Sequence, residues 1–113
     1  MVFTKKIVAS PDAREFDMQI LGCIDRVLAS FGESPRLLLY YLIINECHLS
    51  RDHFSAKPAE LADCLTKILG ATGYEFVEKL TIREIQTTFR IAVEEGSSLK
   101  EAIEQARKSF VTC

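Results

Sequence analysis

Most of the short motifs that announce an activity are missing from this chain. It has no glycine-rich phosphate loop, no GxGxxG fingerprint and no GxSxG turn, so the usual marks of phosphate cradling, dinucleotide binding and serine hydrolase chemistry are absent. It has no CxxC and no HExxH, which removes the common zinc spacings. Neither sign of charge dominates: 14 basic and 16 acidic side chains leave a net charge near −2, with no general pull towards nucleic acid or an anionic membrane. No long apolar stretch opens the chain as a secretory signal would. The longest apolar run, 37–44, is far too short to cross a bilayer. No internal repeat or low-complexity segment occurs. A cytoplasmic protein is the expectation. Its four cysteines, Cys23, Cys47, Cys64 and Cys113, are then expected to be reduced, the first three buried as small apolar side chains.

What is present is apolar patterning. At 113 residues and 48% hydrophobic content the chain fits one domain that buries roughly two thirds of its unfolded surface. Ser34-Pro35 is a helix start, and it runs into Leu37-Leu38-Leu39-Tyr40-Tyr41-Leu42-Ile43-Ile44 with no polar face. The cap, the leucines and the length favour a helix over 35–47 rather than a buried strand. A helix apolar all round is expected at the centre of a core, with the others arranged about it.

Ser10-Pro11-Asp12 opens the preceding helix, 11–31, with a hydroxyl cap, a proline in the first turn and an acid beside it. Ala13, Phe16, Ile20, Ile24, Val27 and Phe31 recur along it every three or four residues, and Gly32 stops it. Residues 1–10 form an N-terminal arm whose Val2, Phe3, Ile7 and Val8 are expected to dock. Ser50 caps a single turn through Phe54. Pro58 opens a third helix that carries Leu61, Leu65, Ile68 and Leu69 inward and ends at Gly70. Helical periodicity resumes over 72–95 but changes sides. Phe76, Val77 and Leu80 share one face, while Ile82, Ile85, Phe89, Ala92 and Val93 share nearly the opposite one. Either this helix kinks near Thr81, or its second half packs on something else. After Gly96-Ser97, the pair Ser98 and Glu101 reads as a capping box. Leu99, Ile103, Ala106 and Phe110 then form a narrow seam of coiled-coil type, with Lys100, Glu104 and Lys108 on the solvent side. The second face of the fourth helix is its obvious partner, in an αα-hairpin within one chain or between two. The expected architecture is all-α: a compact single-domain bundle of about five helices around a buried central helix, divided into an arm (1–10), a helical core (11–95) and a C-terminal docking helix (96–113).

Candidate chemistry is thin. Cys47, His48 and His53, with Cys64 or Asp52, invite a metal reading, but histidines five apart lie about 140° apart on a helix, and His48 is more simply a charge favoured at a helix C-terminus. A Cys-His nucleophile at Cys47 or Cys64 is disfavoured because apolar neighbours raise a thiol pKa. Gly70-Ala71-Thr72-Gly73 reads as a tight turn, and Tyr40 and Tyr41 as core residues. No catalytic, cofactor or metal site is assigned. Lys79, Arg83 and Arg90 fall on one strip of the fourth helix, the only patch resembling nucleic-acid contact; Glu75 and Glu78 adjoin it.

The order Gly32-Glu33-Ser34, Leu39-Tyr40-Tyr41-Leu42, a proline-started helix with Leu61, Leu65, Ile68, Leu69 and Gly70, then Gly73, Phe76 and Glu78 resembles the small helical archaeal output domain of nitrOD type. That domain is otherwise found fused behind sensor or other signalling modules. The likeness covers about 20–85 and rests on core and turn residues; Ala56-Lys57-Pro58 stands where the family usually has Ile-Pro. The resemblance implies a helical fold and a role in signal output, and it carries no catalytic residues to transfer. The function expected is a non-enzymatic regulatory or output-type interaction module, self-associating as a homodimer through Ile85, Phe89, Val93, Leu99, Ile103 and Phe110. The alternative is a small nucleic-acid-binding regulator using Lys79, Arg83 and Arg90.

Overall fold

The computed structural model describes residues 4–112, with side chains described over 13–110. The elements are α1 (Thr4–Ala29), α2 (Glu33–Glu46), a 3-10 turn (Arg51–His53), α3 (Pro58–Phe89) and α4 (Leu99–Thr112). No strand occurs among the described residues, and no helix there is long and apolar enough to cross a membrane. Among the described residues the fold is all-α with four helices, the longest of which joins two helical segments across a kink at Gly70.

The hub is α1. Its residues Phe16, Ile20, Cys23, Ile24, Val27 and Leu28 are all buried, and it packs on α2, α3, α4 and the 3-10 turn. The expected i, i+3, i+4 stripe is therefore present from Phe16 to Val27, whereas Ala13 at its start is exposed. The helix start is not at Ser10, because α1 already begins at Thr4; the docking expected of Val2, Phe3, Ile7 and Val8 concerns side chains outside those described. Phe31 lies beyond the helix end and is exposed, and Gly32 reverses the chain at φ 114°, a value that suits glycine.

Segment 58–89 is two helical segments joined across a kink, and the first ends at Gly70 as expected. The kink is at Gly70 (φ 83°, ψ 166°), a backbone region open essentially to glycine alone, and the segment that follows it has no non-helical residue near Thr81. The switch of apolar face has the other origin foreseen: the second half of α3 is wedged between α1 and α4. Val77, Thr81 and Ile85 form its buried stripe, and the Thr81 hydroxyl donates to the Val77 carbonyl at 2.8 Å. The helix ends at Phe89 because Arg90 turns into the left-handed conformation (φ 55°), and the Ile91 amide reaches back to the Gln86 carbonyl at 3.2 Å. No glycine marks that stop.

The capping box forms as expected. The Ser98 amide donates to Glu101 at 2.9 Å and the Glu101 amide to Ser98 Oγ at 3.1 Å. Leu99, Ala102, Ile103 and Ala106 are buried, and Glu78 on α3 accepts from the Leu99 amide at 2.8 Å, satisfying one of the orphan donors of α4. The hairpin closes within one chain. Phe16 from α1 completes it, with ring centroids 5.4 Å from Phe89 and 5.5 Å from Phe110.

Two expectations are corrected. Cys47 and Cys64, expected as free thiols, are joined in a disulfide with Cα atoms 6.0 Å apart, tying the end of α2 to α3; no spacing motif pointed to this pair. Cys23 is a free, buried thiol. The helix expected at the centre of the core is also not central. On α2 only Leu39, Tyr40 and Ile43 are buried, because α1 and α3 cover one side of it and no described side chain covers the other.

Gly70→Ala is expected to destabilise the fold by about 1–3 kcal/mol through backbone strain alone, since a Cβ there meets no atom within 4 Å; chemical denaturation measures it, and unchanged stability would show the bend is not fixed. Phe89→Asp is expected to cost about 3 kcal/mol or more by placing a carboxylate in the aromatic cluster, seen as a lowered unfolding midpoint rather than as a change of assembly state.

Candidate functional site

The uncovered side of α2 is the most distinctive surface of the molecule. A helix without a polar face has no pattern to fix its rotation, and polar anchors fix it here. Asp25 on α1 accepts from the Tyr40 hydroxyl and from Arg36 Nε, both at 2.8 Å. The Tyr40 ring lies 6.4 Å from Phe54 in a stacked arrangement, with the Arg51 guanidinium 4.5 Å and that of Arg36 5.5 Å from its centroid. Burial raises the Asp25 carboxyl, but the hydrogen bonds from Tyr40 and Arg36 outweigh it and hold the group below the usual carboxylate range. Burial, and then the bond to Asp25, push the Tyr40 phenol far up, so it stays a neutral donor.

With Tyr40 turned inward, the opposite side of α2 faces out. Leu37, Leu38 and Tyr41 are 54%, 56% and 59% exposed, and Ile44 is 40% exposed. Leu37, Tyr41 and Ile44 follow at i, i+4, i+7 and form a ridge along the helix. Beside the ridge runs a groove of about 510 Å³ between α2 and α3. Leu38 and Leu42 form one wall, Leu69 and Phe76 the other, and Phe31 lies at its margin, with its ring 6.2 Å from that of Phe76. Phe76 is 56% exposed. All ten residues lining the groove are apolar or glycine. Gly73 lies against Leu69, where a Cβ would approach the Leu69 Cβ to 2.9 Å, so the bend at Gly70 and the lack of a side chain at 73 together shape that wall.

The residues expected from sequence to form an interface lie elsewhere. Ile85, Leu99 and Ile103 are buried in the chain's own core, and Phe89, Val93 and Phe110 are partly buried against it. They are brought together, but with each other. Lys79, Arg83 and Arg90 are all exposed. Lys79 and Arg83 line a depression of about 450 Å³ together with Glu75, Glu78, Glu94 and Glu95, and Arg90 is not part of its lining. Acids outnumber bases there, unlike the basic footprint that phosphate contact requires.

Residues Leu37, Leu38, Tyr41, Ile44, Phe31 and Phe76 escaped the sequence reading. The available signal was arithmetical: eight apolar residues in a row point in every direction around a helix, and so small a bundle has too few neighbours to cover them all.

Among the remaining groups, Cys23 Sγ lies 3.4 Å from Thr88 Oγ1 and 3.6 Å from Arg26 Nη2. Burial pushes its thiol up, against the opposing effect of Thr88 and Arg26, which disfavours a nucleophilic thiolate. Arg26 bridges α1 to α3 through Glu84 at 2.8 Å and Thr88 at 2.9 Å. Among the described residues no buried side-chain nitrogen or oxygen lacks a partner, and no group of three or more His, Cys, Asp and Glu gathers as metal ligands would.

No protein-family model matches the chain, and neither a curated protein nor a solved structure matches it.

Asp25→Asn is expected to lower the unfolding free energy by about 1–2 kcal/mol near neutral pH. A depressed carboxyl pKa stabilises the fold above its unfolded value, near 3.8, and that stabilisation is lost as pH falls through the lower folded value. The gap between wild type and variant should therefore narrow in acid; a gap independent of pH in urea titrations would remove Asp25 from its role as anchor.

Proposed function

We propose that this protein is a non-enzymatic regulatory or output-type interaction module that works by helix docking, and that its docking surface is the ridge and groove on α2 and α3 rather than the C-terminal hairpin. One observation carries the reading: a contiguous apolar surface, held outward by the Asp25–Tyr40 anchor, on a chain whose other large apolar side chains are mostly covered. Patches of this size on otherwise ordinary surfaces mark interaction sites. The groove lacks the few convergent polar groups that orient a small polar substrate, which favours apolar side chains of a partner as its occupants. The order of core and turn residues shared with the archaeal output domain supports a signalling role. Under this proposal the chain works in the cytoplasm, where a bond such as Cys47–Cys64 belongs to redox-sensing thiols or to the disulfide-rich interior of hyperthermophiles.

The test is site-specific crosslinking in the native host. A photo-reactive phenylalanine replacing Tyr41 should yield a discrete protein adduct that disappears when Leu38→Asp is added. The same group replacing Arg83, on the mixed-charge face, should yield none. Equal adducts from both positions, or none from position 41, would refute the docking assignment.

A further inference from the structure

We propose that the occupant of this surface is a second copy of the same chain, paired about a two-fold axis beside α2. This inference rests on the docking reading above and names its partner.

Three features argue for it. First, ridge and groove are neighbours on one face. Leu37, Tyr41 and Ile44 project from α2 immediately beside the slot walled by Leu38 and Phe76. That adjacency lets a two-fold rotation set the ridge of each copy over the slot of the other, as a self-complementary interface demands. Second, the size fits. Phe31, Leu37, Leu38, Tyr41, Ile44 and Phe76 leave between 38% and 59% of their surface open, which at about 200 Å² for a large side chain amounts to roughly 600 Å². That reaches the upper limit for apolar patches on monomers, about 300–600 Å², and approaches the roughly 800 Å² that each partner buries in a specific complex. Third, these six residues carry no charge. A charged or polar partner surface would lose its hydration against them without gaining a counter-charge, whereas an identical apolar face loses nothing of the kind. Burial of Tyr41 also fits, since aromatic side chains are enriched at the centres of such interfaces.

The experiment is sedimentation velocity on the full, oxidised chain over a range of concentrations, with circular dichroism on each variant. Wild type should sediment as a dimer. Tyr41→Asp and Leu38→Asp, both at positions already open in the single chain, should keep their helical signal and raise the dimer dissociation constant about 30-fold or more. Met18→Asp serves as control, because Met18 is 62% exposed on α1, outside the ridge and groove, and should leave the dimer intact. A wild type that stays monomeric, or a dimer indifferent to Tyr41→Asp and Leu38→Asp, would overturn the inference. The two readings fail separately: a monomer that still crosslinks from position 41 to a different protein sinks self-pairing and keeps the docking module, whereas loss of every adduct from position 41 sinks both.

Discussion

The Asp25 carboxylate decides which way the second helix faces. For most amphipathic helices the hydrophobic pattern sets rotation, because turning the helix would exchange apolar for polar residues in the core. From Leu37 to Ile44 there is no such penalty. Turning α2 would exchange one apolar residue for another, so the choice falls to groups that require a particular partner, together with the Cys47–Cys64 bond at the helix end. Asp25 accepts from Tyr40 and Arg36 together, and the Tyr40 ring is held against Phe54 and Arg51. A charge-assisted pair of hydrogen bonds with these contacts is enough to choose among nearly equal packings. The outward face, with its ridge and groove, follows from that choice.

The other elements are arranged by ordinary packing around α1. The second half of α3 lies between α1 and α4 with Val77, Thr81 and Ile85 buried and Leu80 and Ile82 partly buried on either flank, and α4 closes over it through a seam of Leu99, Ala102, Ile103 and Ala106. Polar groups stitch the joints rather than the centre: Glu78 to the Leu99 amide, Arg26 to Glu84 and Thr88, Arg107 to the Ser55 carbonyl. Titratable groups with displaced pKa values are accounted for by such polar contacts or, for Cys23, Tyr40 and Tyr74, first by burial.

Sequence reading worked where a residue's local environment is set by its chain neighbours. The stripe of α1, the start of α3 at Pro58, the turns at Gly32, Gly70 and Gly96, and the box of Ser98 with Glu101 are all local signals, and all appear. It failed where the outcome depends on distant groups or on conformations that the residue type does not advertise. Arg90 and His48 take left-handed conformations without being glycine, so the end of α3 came earlier than the apolar pattern suggested. Cys47 and Cys64 are 17 residues apart in sequence and meet only because α2 folds back towards α3. The exposed face of α2 was misread as core because burial is a property of neighbours, and the count of helices available to cover it is not written in the segment itself.

The disulfide also changes what the backbone between its two ends means. Cys47 and Cys64 close a covalent ring that contains His48, the 3-10 turn Arg51–His53 and the Lys57-Pro58 junction. Within that ring the peptide chain is no longer the sole link between the two halves of the molecule. A protease that cuts at the exposed residue Arg51 opens a loop without producing fragments: α1 and α2 remain joined to α3 and α4 through sulfur. In the nicked molecule, reduction of that one bond sets the covalent fate of the halves, while the packing of α1 on α3 and α4 and of α2 on α3 holds them together.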